Sequence, residues 1–166
     1  TSGDKLAPRH LIAEDEIPPG SIWIDLLNPT PAEDARVERH LGISIPTKEE
    51  MHDLEPSEII YAENGAHYMT ARIICQSDTN VPRLADVTFI LTEKALVTVR
   101  YDEPGAFNIF LNRATKPGGC GLEPQAVLDG LIEARRQGGQ ARRARTGVPG
   151  DHRAHHPHIE PGRKIG

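Results

Sequence analysis

The side chains able to do chemistry are few: eight histidines, two cysteines and one dense run of carboxylates. Four histidines fall together as His152, His155, His156 and His158, a spacing whose imidazoles suit zinc, nickel or copper. No carboxylate shell accompanies them to orient the rings, so only adventitious metal binding is expected there. Glu49, Glu50, His52, Asp53 and Glu55 form the densest acidic stretch, and carboxylate oxygens suit hard cations such as magnesium or calcium. A solvated helix face is the commoner explanation of such a run. Cys75 sits among apolar neighbours at strand spacing and reads as a buried, inert thiol; His67 has no serine or aspartate partner that the sequence can assign. Arg135-Arg136 and Arg142-Arg143 with Arg145 could neutralise phosphates, but no aromatic interleaves them, and nucleic acid is not an expected partner. Gly118-Gly119-Cys120-Gly121 has the glycines of a phosphate loop without the Gly-Lys-Ser/Thr that completes one. No catalytic constellation emerges, and the chain is not expected to be an enzyme.

These residues must be positioned by the elements around them. Leu11-Ile12-Ala13 reads at most as a short leading strand. Ile22 to Leu27 is a β-branched and aromatic run closed by Asn28-Pro29, hence a strand. Thr30, Pro31 and Glu33 then make a capping box that opens a helix ending at Gly42, and Thr47 to Glu50 repeats the pattern for a second helix stopped near Pro56. From Ser57 the period becomes two. Glu58 to Tyr61, Asn64-Gly65, and His67 to Gln76 signal a hairpin, with His67, Met69, Ala71, Ile73 and Cys75 on one face of the second arm. Asp86 to Leu91 and Ala95 to Tyr101, joined through Thr92-Glu93-Lys94, make a second hairpin. Phe107, Phe110 and Leu111, and then Leu122, Ala126, Val127, Leu131 and Ile132, recur at helical spacing. The order is strand, two helices, two hairpins, two helices. That order predicts an α+β fold with a largely antiparallel or mixed central sheet rather than regular βαβ winding.

The chain has 166 residues, with 19 Lys and Arg against 24 Asp and Glu. Its net charge of −5 conceals a split: residues 135–166 hold eight basic and two acidic groups, which leaves −11 on residues 1–134. The length suits one domain, read here as 1–134, and the Arg, His, Gly and Pro of 135–166 offer too few large apolar groups to form a core, so that tail is expected to be disordered. No run of roughly 18 apolar residues exists to span a bilayer, and the first ten residues lack signal-peptide order. Two cysteines without a Cys-x-x-Cys fit a reducing compartment.

Several segments, in order, resemble a known family. Ile22 to Thr30, Glu38-x-x-Leu41-Gly42-Ile43, and Pro46-Thr47-x-Glu49-Glu50-Met51 resemble the amino-terminal cytoplasmic domain of the CorA family of magnesium transporters. Tyr68 to Ala71, Val87 to Thr92 and Leu96 to Tyr101 are similar to that family's central strands, and Leu128-Asp129-x-Leu131-Ile132-Glu133-Ala134 to the helix that follows. The resemblance covers residues 22–134. Family members continue into a long stalk helix and two membrane helices with a Gly-Met-Asn signature; neither appears here. The break at Arg135 suggests a frame change or a seam with unrelated sequence.

The resemblance implies a soluble regulatory, cation-sensing domain of a magnesium or cobalt transporter, unable to transport alone. It implies mixed α/β/α layers with helices on both faces of the sheet. In the full-length transporter it implies a homopentamer with this domain on the cytoplasmic side of the inner membrane, joined to the membrane only through the missing helices, and a regulatory Mg2+ as the only cofactor. The position resembling a family sensor carboxylate is Glu50, with Glu49 beside it. Two alternatives stay open: a stand-alone binding or adaptor protein using the basic tail, and the cytoplasmic domain of a zinc-transporting relative.

Overall fold

Trp23–Leu27 (β1) carries bulky side chains alternately to both faces, as suits a strand of a sheet covered on two sides. The computed structural model describes residues 5–12, 14–55, 58–75 and 81–145, with the side chains of the final helix described as far as Gln137. After β1 come Pro31–Leu41 (α1), Lys48–His52 (α2), Ile60–Glu63 (β2), Ala66–Cys75 (β3), Arg83–Leu91 (β4), Leu96–Arg100 (β5), Gly105–Ala114 (α3) and Pro124–Arg145 (α4). The strands form one sheet in the order β1-β5-β4-β3-β2. β1 runs parallel to β5 and every other pairing is antiparallel, which is the mixed sheet expected.

Each face of the sheet has its own core. Ile73, Val87, Phe89 and Leu96 pack on one side against Phe107 and Phe110 of α3 and Val127 and Leu131 of α4. On the other side Leu26, Tyr68, Ile90, Val97 and Val99 meet Val37 of α1, Met51 of α2 and the connecting Ile43 and Ile45. Burying both faces is what lets five strands order helices that are short and polar on their outer surfaces.

Local chemistry sets the boundaries. The Thr30 hydroxyl accepts the Glu33 N–H at 3.3 Å while the Glu33 carboxylate accepts the Thr30 N–H at 3.2 Å, so the capping box is complete. Gly42, at φ 68°, takes the left-handed conformation that ends α1. Asn64 and Gly65, with φ of 48° and 77°, make the tight turn that joins β2 to β3.

Four expectations need correction. Leu11 and Ile12 form no strand; the Ile12 N–H is held by the Asp15 carboxylate and the Ile12 carbonyl by the Asp15 N–H, a local turn, while Ala13 lies outside the described residues. α2 ends at His52, with Asp53 as its C-cap, before Pro56, so that Leu54 falls beyond the helix. In β3 the expected face holds for Met69, Ala71 and Ile73, but His67 is exposed at the strand's end and the intervening Ala66 and Tyr68 are as buried, since helices cover both faces. Finally, order does not stop at Ala134: α4 continues to Arg145. Large apolar residues end there, but arginine, glutamine and alanine are strong helix formers and carry the helix across Gly138 and Gly139. Residues 146–166, the rest of the tail, lie outside the described residues.

One polar network ties β1 to β5 at the margin of the apolar layer. Arg100, only 7% exposed, sets its fork on Asp25, Nε 3.0 Å from Oδ1 and Nη2 2.6 Å from Oδ2. The Trp23 indole N–H donates to the Thr98 hydroxyl, which donates to Asp25 Oδ1 at 2.7 Å. The guanidinium carbon lies 4.3 Å from the centre of the Phe107 ring, and Nη1 donates to the Asp102 carbonyl. Each of the three guanidinium nitrogens thereby finds an acceptor, and both Asp25 oxygens are engaged.

Removing one partner leaves a buried charge alone, so Asp25→Ala is expected to cost about 3 kcal/mol in chemical denaturation, with Asp25→Leu combined with Arg100→Met recovering part of the loss. A second expectation concerns α3 against α4. A Cβ on Gly130 would fall 2.3 Å from Cε2 of Phe110, a ring that is itself fully buried and lies edge-on to Trp23. Gly130→Ala should therefore lower the melting temperature, although helix propensity alone would raise stability by about 1 kcal/mol. An unchanged or higher Tm by circular dichroism would show that the helices approach less closely.

Candidate functional site

α2 presents the acidic run. Thr47 caps it by accepting the Glu50 N–H at 3.2 Å, which starts the helix with Glu49 and Glu50 in its first turn, where the helix dipole favours negative charge. Met51, on the opposite side, is 3% exposed and fixes the helix to the sheet. Glu49, Glu50, Asp53 and Leu54 then face Glu58 and Tyr61 across an open cavity of about 550 Å3. Among the described residues none of these four carboxylates forms an ion pair.

The wall is built by two tyrosines. Tyr61 stacks on Tyr68 with ring centres 4.6 Å apart and nearly parallel, and the Tyr68 hydroxyl donates to the Ser44 carbonyl while accepting the Ser44 N–H. Burial raises the Tyr61 phenol above its ordinary pKa, and the neighbouring Tyr68, Glu63, Glu50 and Glu58 push it the same way, so it stays a neutral hydroxyl. Asp34 on α1 is another carboxyl made reluctant to ionise, first by burial and then by Glu38 and Glu33; its Oδ1 is buried without a partner among the described residues.

The structure brings together only part of the acidic stretch. His52 turns to the sheet, its Nδ1 3.3 Å from Asp86 Oδ2, while Arg72 holds the other oxygen of Asp86. Glu55 contributes its backbone N–H to Glu58 rather than a carboxylate to the cavity. Glu58 and Tyr61 are the additions that no spacing rule selects, because they arrive from β2 and the segment just before it; the Asn64-Gly65 turn was the available signal that this strand folds back beside the sheet. Among the described residues no group of three or more His, Cys, Asp or Glu is arranged to hold a metal ion, so Glu49 and Glu50 supply at most part of a coordination shell.

The remaining candidates resolve separately. Cys75 is buried, and burial raises its thiol pKa against the opposing pull of Arg83 and Arg100, which makes it a poor nucleophile. It lines a smaller cavity of about 440 Å3 with Asn28, Arg83, Tyr101, Asp102 and Glu103, in which Arg83 pairs with Asp102. Cys120 is half-buried and its thiol is likewise raised by burial. Gly118 to Gly121 is a turn packed on α3, where a Cβ on Gly119 would meet the Arg113 carbonyl at 1.8 Å. Arg135 reaches the Arg72 carbonyl at 3.5 Å and Arg136 pairs with Glu133. The histidine cluster from His152 to His158 lies outside the described residues.

Comparison with known proteins agrees with this architecture. A family profile described as CorA-like Mg2+ transporter protein matches residues 19–135. The magnesium transport protein CorA of Haemophilus influenzae is 30% identical over 115 residues, covering 69% of this chain and 36% of that protein. Its counterpart from Campylobacter jejuni is 32% identical over 100 residues, covering 55% of this chain and 31% of that protein. The chain thus spans about a third of the length of the curated relatives it matches. The soluble domain of CorA from Methanocaldococcus jannaschii has the same fold, with a TM-score of 0.55 at 17% identity over 87% of this chain and 59% of that one. The ZntB cytoplasmic domain from Vibrio parahaemolyticus superposes with a TM-score of 0.51 at 14% identity, covering 76% of this chain and 53% of that one. The profile match, which takes in β1 through most of the ordered α4, places this chain in the CorA-like Mg2+ transporter family.

Proposed function

We propose that this chain is the soluble, cation-sensing part of a CorA-like transporter of magnesium or cobalt, acting by binding rather than catalysis. The observation that carries the reading is the cavity beside α2, where Glu49 and Glu50 stand with Asp53 and Glu58 around open solvent and no cationic side chain pairs with them among the described residues. All four are oxygen donors, the class a hard divalent cation prefers, and no histidine or thiol competes at the cavity. Mg2+ keeps much of its own water, so a shell in which Glu50 and Glu49 supply one or two oxygens suits it; the rest comes from water or from a carboxylate outside this chain.

In this reading the bound cation biases the assembly by binding one arrangement of subunits better than another, and the assembly is a homo-oligomer with this domain on the cytoplasmic side. The path for the ion lies outside the described residues, none of whose helices is long and apolar enough to cross a membrane.

Magnesium titrated calorimetrically into the chain should bind weakly, and Glu50→Gln should weaken that binding about tenfold, the effect of losing one charged oxygen ligand worth roughly 1.4 kcal/mol. Glu49→Gln is expected to act in the same direction. Equal binding by the parent and Glu50→Gln would remove Glu50 from the site.

A further inference from the structure

Among the described residues the sheet ends at β2, whose outer edge pairs with no strand. All four of its residues are exposed, and Ile60 is 71% exposed. Pairing with β3 is antiparallel, and Thr70 donates its N–H to the Ile59 carbonyl. Because bonded and non-bonded residues alternate along an antiparallel strand, Ile59, Tyr61 and Glu63 use their backbone groups inward, toward β3. Ile60 and Ala62 therefore aim theirs at the open edge. A strand added there would alternate its side chains between two environments. On the α2 side they would reach the cavity of Glu49, Glu50, Asp53 and Glu58, over the Tyr61 ring; on the other they would lie beside the exposed Ile60.

We propose that β2 is a docking edge for an extended segment of a partner protein in which basic and apolar residues alternate. The backbone of Ile60 and Ala62 supplies the pairing, the carboxylates and Tyr61 take the basic side chains, and Ile60 takes the apolar ones. Charge decides against a second copy of this chain as the occupant: β2 to β2 pairing would bring two sets of these carboxylates together, with no bridging cation from either edge. The inference shares its carboxylates with the magnesium reading, but its backbone pairing lies at an edge that magnesium does not use, so binding measured in EDTA fails or succeeds independently of that reading.

The probe is a labelled synthetic peptide of alternating arginine and valine, titrated with the full chain in EDTA and read by fluorescence anisotropy. Saturable binding that weakens as salt rises is expected, with no binding of the glutamate–valine counterpart. Ala62→Pro removes an outward N–H without touching the β2–β3 ladder and should weaken binding about tenfold or more. Where that variant loses the parent's circular dichroism spectrum, Glu58→Lys with Glu63→Lys carries the test and should weaken binding similarly. The proposal is overturned if no peptide binds, if both peptides bind alike, or if a folded Ala62→Pro binds as well as the parent. It is overturned in favour of a second copy if sedimentation shows the chain self-associating through an edge that Ala62→Pro disrupts.

Discussion

The pairing of Asp25 with the buried Arg100 is the constraint on which the arrangement depends. β1 and β5 are the only parallel neighbours among the described strands, and the two residues stand 75 positions apart in the chain. Loop closure over such a separation gains nothing until the contact forms, so the contact has to be specific as well as favourable. A bidentate ion pair with Thr98, Trp23 and the Asp102 carbonyl satisfying its remaining groups accepts one register and rejects a slip. Fixing β5 against β1 fixes which face of the sheet receives α3, because the same guanidinium lies on Phe107.

From that register the two faces acquire different tasks. The α3 and α4 side is close-packed to the point that Gly130 has no room for a methyl group, and it holds the only tryptophan of the sequence between two phenylalanines. The α1 and α2 side is looser at its margin. α2 is one and a half turns long, held by Met51 and by the link from His52 to Asp86, and its outward surface is left to carboxylates. A short helix with one buried anchor is suited to presenting charge, since its own stability comes from the sheet beneath it rather than from its length.

Much of this was readable from residue order. Asn64-Gly65 announced a hairpin and made one, since both residues tolerate the positive φ that the turn needs. Thr30 and Glu33 announced a helix start and bond each other as expected. The failures have physical reasons too. Leu11 and Ile12 looked like a strand because their side chains are apolar, but a local Asp15 turn satisfies the backbone first. Order appeared to end at Ala134 because large apolar residues end there, whereas helix continuation depends on backbone propensity, which arginine, glutamine and alanine supply. Glu49 and Glu50 were visible as an acidic run, yet Glu58, Tyr61 and the departure of His52 were not, because no periodicity along one element reports what an adjacent element brings to it.

By itself the sequence determined the element order, the mixed α+β class and the family resemblance, since these follow from local signals: periodicity, caps, turns and ordered short motifs. Tertiary structure alone decided that Asp25 pairs with the buried Arg100 and that Glu49 and Glu50 of α2 share one cavity with Asp53 and Glu58 beside the β2 edge. These are contacts between separate parts of the fold. Their geometry depends on strand register, which no single segment encodes.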